Sequence, residues 1–113
     1  MHELGLADAM MKMVQKLVKE EGAERVIAVT VSIGDLSGVV PRFMADAWEA
    51  VTDGTPYQGV PLHIETVPGV AQCLECGEQF QVDTKRMKCP NCGGVRLTPV
   101  SGRDMTIEEI DVE

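Results

Sequence analysis

Residues 25–33 read Arg-Val-Ile-Ala-Val-Thr-Val-Ser-Ile, a run rich in β-branched side chains with an apolar period of two. Both features are typical of a strand that has one buried side. The apolar side chains predicted to share the buried face are Ile27, Val29, Val31 and Ile33. The run therefore predicts a strand against which neighbouring helices can pack.

Apolar residues at helical spacing lie on both sides of this strand. In residues 4–21 the expected apolar stripe consists of Leu6, Met10, Val14, Leu17 and Val18, with Met13 at its edge. A second helix is predicted to begin at Pro41, whose missing N–H would be unpaired at the first helical position anyway. Its expected buried face consists of Phe43, Met44, Ala47, Trp48 and Val51. Each helix therefore offers one apolar side for packing.

Two more strands are predicted downstream. Residues 62–67 alternate apolar and polar side chains, and a strand–helix–strand order favours parallel pairing with residues 25–33. The last segment, 105–113, holds two apolar pairs that are out of phase by one residue: Met105 with Ile107, and Ile110 with Val112. A β-bulge near Glu108 and Glu109 would return both pairs to the core face.

These elements predict an α/β fold in which two helices pack on a small three-stranded mixed sheet, with an inserted zinc-ribbon-like minidomain. Residues 1–69 and 104–113 would form a discontinuous α/β domain, and residues 70–103 would form the minidomain.

The four cysteines form two pairs, Cys73-Leu-Glu-Cys76 and Cys89-Pro-Asn-Cys92, with twelve residues between the pairs. Two such turns can complete a tetrahedral set of four sulfurs, which is the donor set of structural zinc. A closed set leaves no open position for water, so the site would hold the minidomain folded rather than catalyse a reaction. A redox pair, a disulfide framework and an iron site are the alternatives.

The net charge of the chain limits the classes of partner that it is expected to bind. The formal charge of −8 opposes binding to nucleic acid and to anionic membrane surfaces, both of which require clustered Lys and Arg. No apolar run approaches the roughly 20 residues of a membrane-spanning helix, and the first residues do not resemble a signal peptide. We therefore expect a cytoplasmic protein with reduced thiols.

The chain begins Met1-His2-Glu3. If Met1 is retained, its amine, the backbone nitrogen of His2 and the imidazole of His2 can form two fused chelate rings, and Glu3 can add its amide nitrogen or its carboxylate. Four donors in a plane suit Ni(II) or Cu(II). A histidine at a frayed terminus can equally have no role, and the acidic residue can simply complement the helix dipole. His63, in the second strand, is expected to face solvent.

Several segments together resemble one family, the HypA/HybF hydrogenase maturation metallochaperones. They are Met1-His2-Glu3, Ile33-Gly-Asp-Leu-Ser-Gly-Val39, Val67-Pro-Gly69, the two CxxC pairs, and Ile107-Glu-Glu-Ile-Asp-Val-Glu113. The resemblance implies nickel ligands at Met1 (its amine), His2 and Glu3, and zinc ligands at Cys73, Cys76, Cys89 and Cys92. It also implies delivery of Ni(II) to the large subunit of [NiFe]-hydrogenase, or in some relatives to urease, with a partner GTPase.

We therefore predict a nickel carrier with structural zinc and no enzymatic activity. The alternatives are a zinc-stabilised protein-interaction adaptor and a zinc-ribbon nucleic-acid-binding module. The sequence leaves open whether the chain forms a homodimer.

Overall fold

The computed structural model describes the backbone of residues 2–113 and the side chains of residues 3–113. In chain order the elements are α1 (His2–Glu21), β1 (Val26–Gly34), α2 (Pro41–Thr52), β2 (Leu62–Val67), β3 (Val70–Cys73), β4 (Gln79–Gln81), β5 (Leu97–Ser101) and β6 (Met105–Val112). Neither of the two described helices is long and apolar enough to cross a bilayer.

The first sheet has the strand order β2-β1-β6. β1 pairs in parallel with β2, where Val31 lies beside Ile64, and pairs antiparallel with β6, where Val31 lies beside Ile107. The sheet is therefore mixed, and the predicted fold class of two helices on a three-stranded mixed sheet with a cysteine insert is confirmed.

Two irregularities interrupt the pairing of β1 with β6. Thr30 pairs with Glu109 and the next residue, Val31, pairs with Ile107, so Glu108 is the extra residue of a bulge in β6. The bulge predicted near Glu108 and Glu109 is thus confirmed. Met105, Ile107 and Ile110 pack against the core as predicted, but the predicted core position of Val112 was wrong, because its side chain is 44% exposed at the end of the strand. The second irregularity leaves Ile27 as an extra residue in β1.

The second bulge makes the prediction for Ile27 wrong. An extra residue reverses the alternation of a strand, so Val26 is buried in the core whereas Ile27 is 49% exposed. Val29, Val31 and Ile33 lie in the core as predicted.

One hydrophobic core fills the space between the helices and this sheet. Its buried members are Ala7, Met10, Val14, Val26, Val29, Val31, Ile33, Val39, Met44, Ala47 and Trp48. The predicted core positions of Leu17 and Phe43 were wrong, because both side chains are exposed. The indole N–H of Trp48 donates to the Val60 carbonyl at 2.9 Å, so the large buried ring leaves no unpaired polar atom.

A second sheet, with the order β4-β3-β5, lies in the cysteine insert. Both pairings are antiparallel, and β3 is the central strand because it pairs with β4 on one side and with β5 on the other. The buried apolar side chains and cysteines of this segment are Ala71, Cys73, Val82 and Cys89. The sequence pattern predicted a zinc-ribbon-like minidomain here but did not predict these three strands.

Glycines form the junction between the two sheets. The Gly34 N–H donates to the Asp104 carbonyl at 3.0 Å, and the Leu36 N–H donates to the Gly102 carbonyl at 2.7 Å. A Cβ at Gly102 would lie 2.5 Å from the Pro68 carbonyl oxygen, so the two chain crossings pack backbone on backbone. This close packing positions the cysteine insert relative to the core.

Candidate metal centre

The fold brings the four cysteine sulfurs together. Their Sγ atoms all lie within 4.8 Å of one another, and two of the separations, Cys73 to Cys92 and Cys76 to Cys89, are 3.6 Å. A tetrahedral zinc ion with Zn–S bonds of about 2.3 Å requires sulfur separations of about 3.8 Å. The four sulfurs therefore outline a coordination shell of the right size for one ion.

Two turns with the same hydrogen bonds carry these sulfurs. The Cys73 N–H donates to the Glu78 carbonyl at 2.9 Å, and the Cys89 N–H donates to the Gly94 carbonyl at 2.8 Å. At the equivalent glycines, the N–H of Gly77 and that of Gly93 donate back to the carbonyls of Cys73 and Cys89. Both glycines have positive φ, 81° and 75°, which an L side chain would strain.

The exposed and buried members of the cluster differ. Cys73 and Cys89 are buried, whereas Cys76 and Cys92 are exposed. The backbone of Glu78 and then the Asn91 amide lower the pKa of the Cys76 thiol to about 7. The pKa of Cys92 is raised to about 12: the Gly94 N–H alone would lower it, but the Cys73 thiol, burial and the other two cysteines together outweigh that bond.

Hydrogen bonds to sulfur support an anionic cluster. The Asn91 amide donates to the Cys76 sulfur at 3.6 Å, and the Gly94 N–H donates to the Cys92 sulfur at 3.4 Å. Such donors favour the thiolate form that a metal requires. The cluster therefore fits a zinc site with four sulfur donors, which is a closed and structural type of site.

The predicted nickel ligands lie only partly within the described residues. Met1 and the side chain of His2 lie outside them, and α1 begins at His2. The Glu3 carboxylate accepts a hydrogen bond from the Val40 N–H at 3.3 Å. Val40 is the N-cap of α2 and makes no side-chain cap of its own, so Glu3 caps α2 from α1.

The other histidine, His63, lies exposed on β2, as predicted. In the parallel pairing of β2 with β1, His63 lies beside Thr30. It is therefore a surface residue of the first sheet.

The residues that the sequence argument missed are those of the junction. The Asp35 carboxylate accepts from the Gly69 N–H at 3.4 Å, and the Asp35 N–H donates to the Val67 carbonyl at 2.9 Å. These residues belong to Ile33–Val39 and Val67–Gly69, two of the segments that carried the family resemblance. The two segments could therefore be recognised in the sequence, but the sequence did not show that they cross and bond to each other in the fold.

Comparisons with known proteins agree along the whole chain. A family model described as "Hydrogenase/urease nickel incorporation, metallochaperone, hypA" matches residues 1–112. A protein named hydrogenase maturation factor HypA from Geobacter metallireducens is 40% identical over 113 residues, covering 100% of both chains. A protein of the same name from Dechloromonas aromatica is 37% identical over the same length and coverage.

The fold also has a solved counterpart. The solution structure of the nickel metallochaperone HypA from Helicobacter pylori matches with a TM-score of 0.68, covering 97% of this chain and 96% of that chain. The sequence identity is 17%, so this likeness supports the fold alone.

Proposed function

This chain belongs to the HypA family of nickel-incorporation metallochaperones, and on that premise we propose that it binds Ni(II) at its N-terminus and delivers it during [NiFe]-hydrogenase maturation. The family consists of metallochaperones rather than enzymes. Nickel is thus the cargo of the protein, and zinc is its resident metal.

The observation that carries the proposal is the completeness of the four-sulfur cluster. Cys73, Cys76, Cys89 and Cys92 would hold structural zinc, and four thiolates saturate a tetrahedral ion. A saturated site suits a permanent metal, whereas a cargo ion needs donors that can be exchanged. The proposed division of the chain follows: residues 70–103 for zinc, and residues 1–69 with 104–113 for nickel.

The nickel donors are the Met1 amine, the backbone nitrogen and imidazole of His2, and Glu3. Amides in the first turn of a helix have no intrahelical acceptor, so α1 beginning at His2 leaves these nitrogens free to coordinate. The Glu3 carboxylate is occupied by Val40, which favours the Glu3 backbone nitrogen as the fourth donor. In this arrangement the Glu3 side chain holds the first turn of α1 against α2.

The partners of this function are a maturation GTPase and the large subunit of [NiFe]-hydrogenase, in the cytoplasm. Both follow from the family rather than from contacts. A cytoplasmic setting also keeps the four thiols reduced and available to zinc.

A nickel titration tests the proposal. Zinc-loaded wild type is compared with His2→Ala, and His63→Ala is the matched control because it removes the other histidine, which lies exposed on β2. We expect His2→Ala to abolish tight Ni(II) binding and His63→Ala to leave it unchanged. Binding by wild type should also weaken as pH falls through about 6.5, because only neutral imidazole is a ligand.

An N-terminally extended variant tests the amine separately. Residues added before Met1 convert its amine into an amide and should weaken nickel binding. X-ray absorption at the two metal edges should show nitrogen and oxygen donors on nickel and sulfur donors on zinc. If His2→Ala binds nickel as tightly as wild type, the carrier proposal fails and a zinc-stabilised interaction adaptor becomes the better explanation.

A further inference from the structure

The strand β6 is an edge of the first sheet, since the order β2-β1-β6 gives it one neighbour among the described strands. Its two ends bond to the β1 side: the Asp104 carbonyl accepts from Gly34, and Glu113 both donates to Arg25 and accepts from Glu24. In an antiparallel pair, residues whose N–H and C=O groups point toward the neighbouring strand alternate with residues whose N–H and C=O groups point away from it. Allowing for the bulge at Glu108, the residues whose N–H and C=O face away from β1 are Met105, Ile107, Ile110 and Val112.

An apolar groove lies beside this edge. It has a volume of about 650 Å³ and runs between the end of α1 and β6. Its apolar lining consists of Leu17, Val18, Ala23, Ile107, Ile110 and Val112. Leu17 is 37% and Val112 is 44% exposed, so the helix layer stops short of the edge strand. A strand added beside β6 would turn alternate side chains into this groove.

The rim of the groove is acidic. Among the described lining residues Glu21, Glu108, Glu109 and Glu113 carry carboxylates and none carries a cation. Glu113 is paired with Arg25, and the Glu108 carboxylate accepts a hydrogen bond from the Ser32 hydroxyl at 2.7 Å. In the described part of the chain no cation pairs with Glu21, Glu108 or Glu109. Asp111 adds a further exposed carboxylate on β6.

We propose that the outer edge of β6 binds a partner protein through an extended segment in which apolar residues alternate with Lys or Arg. The partner strand would pair with the outward backbone groups of Ile110 and Val112. Its apolar side chains would fill the groove and its cations would meet the acidic rim. This surface contains none of the four cysteines and lies at the opposite end of α1 from Glu3.

Charge argues for this occupant over a second copy of the chain. Two β6 strands side by side would place the carboxylates of Glu109 and Asp111 against the same groups of the other copy. Like charges across a strand pair are destabilising. Opposite charges would instead favour the encounter, and more so at low salt.

The test uses the full zinc-loaded chain and a synthetic peptide, Lys-Val-Arg-Val-Lys-Val-Arg, with Glu-Val-Glu-Val-Glu-Val-Glu as its charge-reversed counterpart. We expect the basic peptide to bind, more tightly at low salt, and the acidic peptide not to bind. Amide hydrogen exchange should slow at Ile110 and Val112, whose N–H groups the peptide would cover. Binding is measured by calorimetry and exchange by NMR.

The double substitution Glu109→Lys with Asp111→Lys should weaken the basic peptide by about tenfold or more. The matched control is Glu49→Lys with Glu65→Lys, which makes the same charge change at exposed positions on α2 and β2 and should leave binding within about twofold. Equal loss in both variants, equal binding of both peptides, or self-association that protects Ile110 and Val112 without peptide would each overturn the proposal.

Discussion

The two sheets of this protein are stabilised by different means. The α/β region, formed by α1, α2, β1, β2 and β6, surrounds a core in which eleven of the described apolar side chains are buried. The cysteine region, residues 70–103, buries Ala71, Val82 and two of its own cysteines, while Leu74, Met87 and Val95 are at least half exposed. Hydrophobic burial can maintain the first region, but the second has too little apolar surface to do the same.

The comparison teaches that one chain can divide stability and metal use between regions. In the cysteine region we expect zinc to take the place of a core, because the free energy of zinc binding contributes directly to the folding of a small unit. The α/β region has its own apolar core, so we expect it to fold without metal, which would leave the proposed N-terminal nickel donors free for an exchangeable ion. The predictions below test this contrast in order of expected size.

Removing zinc should have the largest effect. Structural zinc sites have apparent binding free energies of about 10–16 kcal/mol, so chelation should unfold the cysteine region. The α/β region should remain folded because its core contains no cysteine. Amide NMR spectra would show loss of dispersion for residues 70–103, whereas the fluorescence of Trp48, the single tryptophan, should be unchanged.

A chelated protein in which Trp48 also becomes solvent-exposed would contradict this prediction. It would mean that the two regions fold as one cooperative unit, and the proposed division of the chain would then be wrong.

The substitution Met44→Ala perturbs the α/β region instead of the cysteine region. Met44 is fully buried in the core at 0% exposure, so its truncation should lower the free energy of unfolding of the α/β region by about 2–5 kcal/mol. Met13→Ala is the matched control, because Met13 is 53% exposed and should cost less than about 0.5 kcal/mol. Urea unfolding followed by Trp48 fluorescence measures both, and equal losses in the two variants would refute the core assignment.

Gly102→Ala tests the junction that joins the two regions. Gly102 has a φ of 75° and its Cβ would meet the Pro68 carbonyl at 2.5 Å, so we expect a loss of about 2 kcal/mol. Gly38→Ala is the control, since Gly38 has a φ of 80° with nothing within 4 Å of its Cβ. The control should show only the cost of positive φ, about 1 kcal/mol. Thermal unfolding compares them, and a control loss as large as that of Gly102→Ala would exclude a close backbone packing.

The smallest effect concerns the thiols after zinc removal. If the cysteine turns stayed folded, about half of Cys76, with a pKa of about 7, would be thiolate at neutral pH, whereas Cys92, with a pKa of about 12, would stay protonated. Because we expect the turns to unfold, the pKa of Cys76 should rise and that of Cys92 should fall toward the ordinary thiol value. Iodoacetamide labelling followed by mass spectrometry should then give the same pH profile for both. Reaction of Cys76 alone near pH 7 would show that the turns survive without metal.

The sequence predicted the elements whose signals are local. The period of two marked β1, the helical spacing of Met10, Val14 and Val18 marked α1, and Pro41 marked the start of α2. The bulge at Glu108 could be predicted because both apolar pairs lie on one strand and their phase shift is visible there. The bulge at Ile27 could not, since the extra residue in β1 appears only against the register of β6.

Part of the candidate site could also be predicted from local sequence patterns. The spacing of the CxxC pairs indicated a four-sulfur cluster, and the sulfurs do converge. The roles of Met1 and His2 as nickel donors stay predictions. Helical spacing also placed Leu17 and Phe43 in the core, because periodicity gives the direction of a side chain but not the width of the layer that covers it.

By itself the sequence determined the helices, the strands of the first sheet and the convergence of four thiols, because each depends on side chains near one another in the chain. Only the tertiary structure decided that β6 lies at an edge of the sheet, where the two regions cross through Gly34 and Gly102, and that Glu3 caps α2. Those features depend on contacts between segments that are 30 residues or more apart in the chain. Such contacts follow from how the layers close on one another, and no local pattern encodes them.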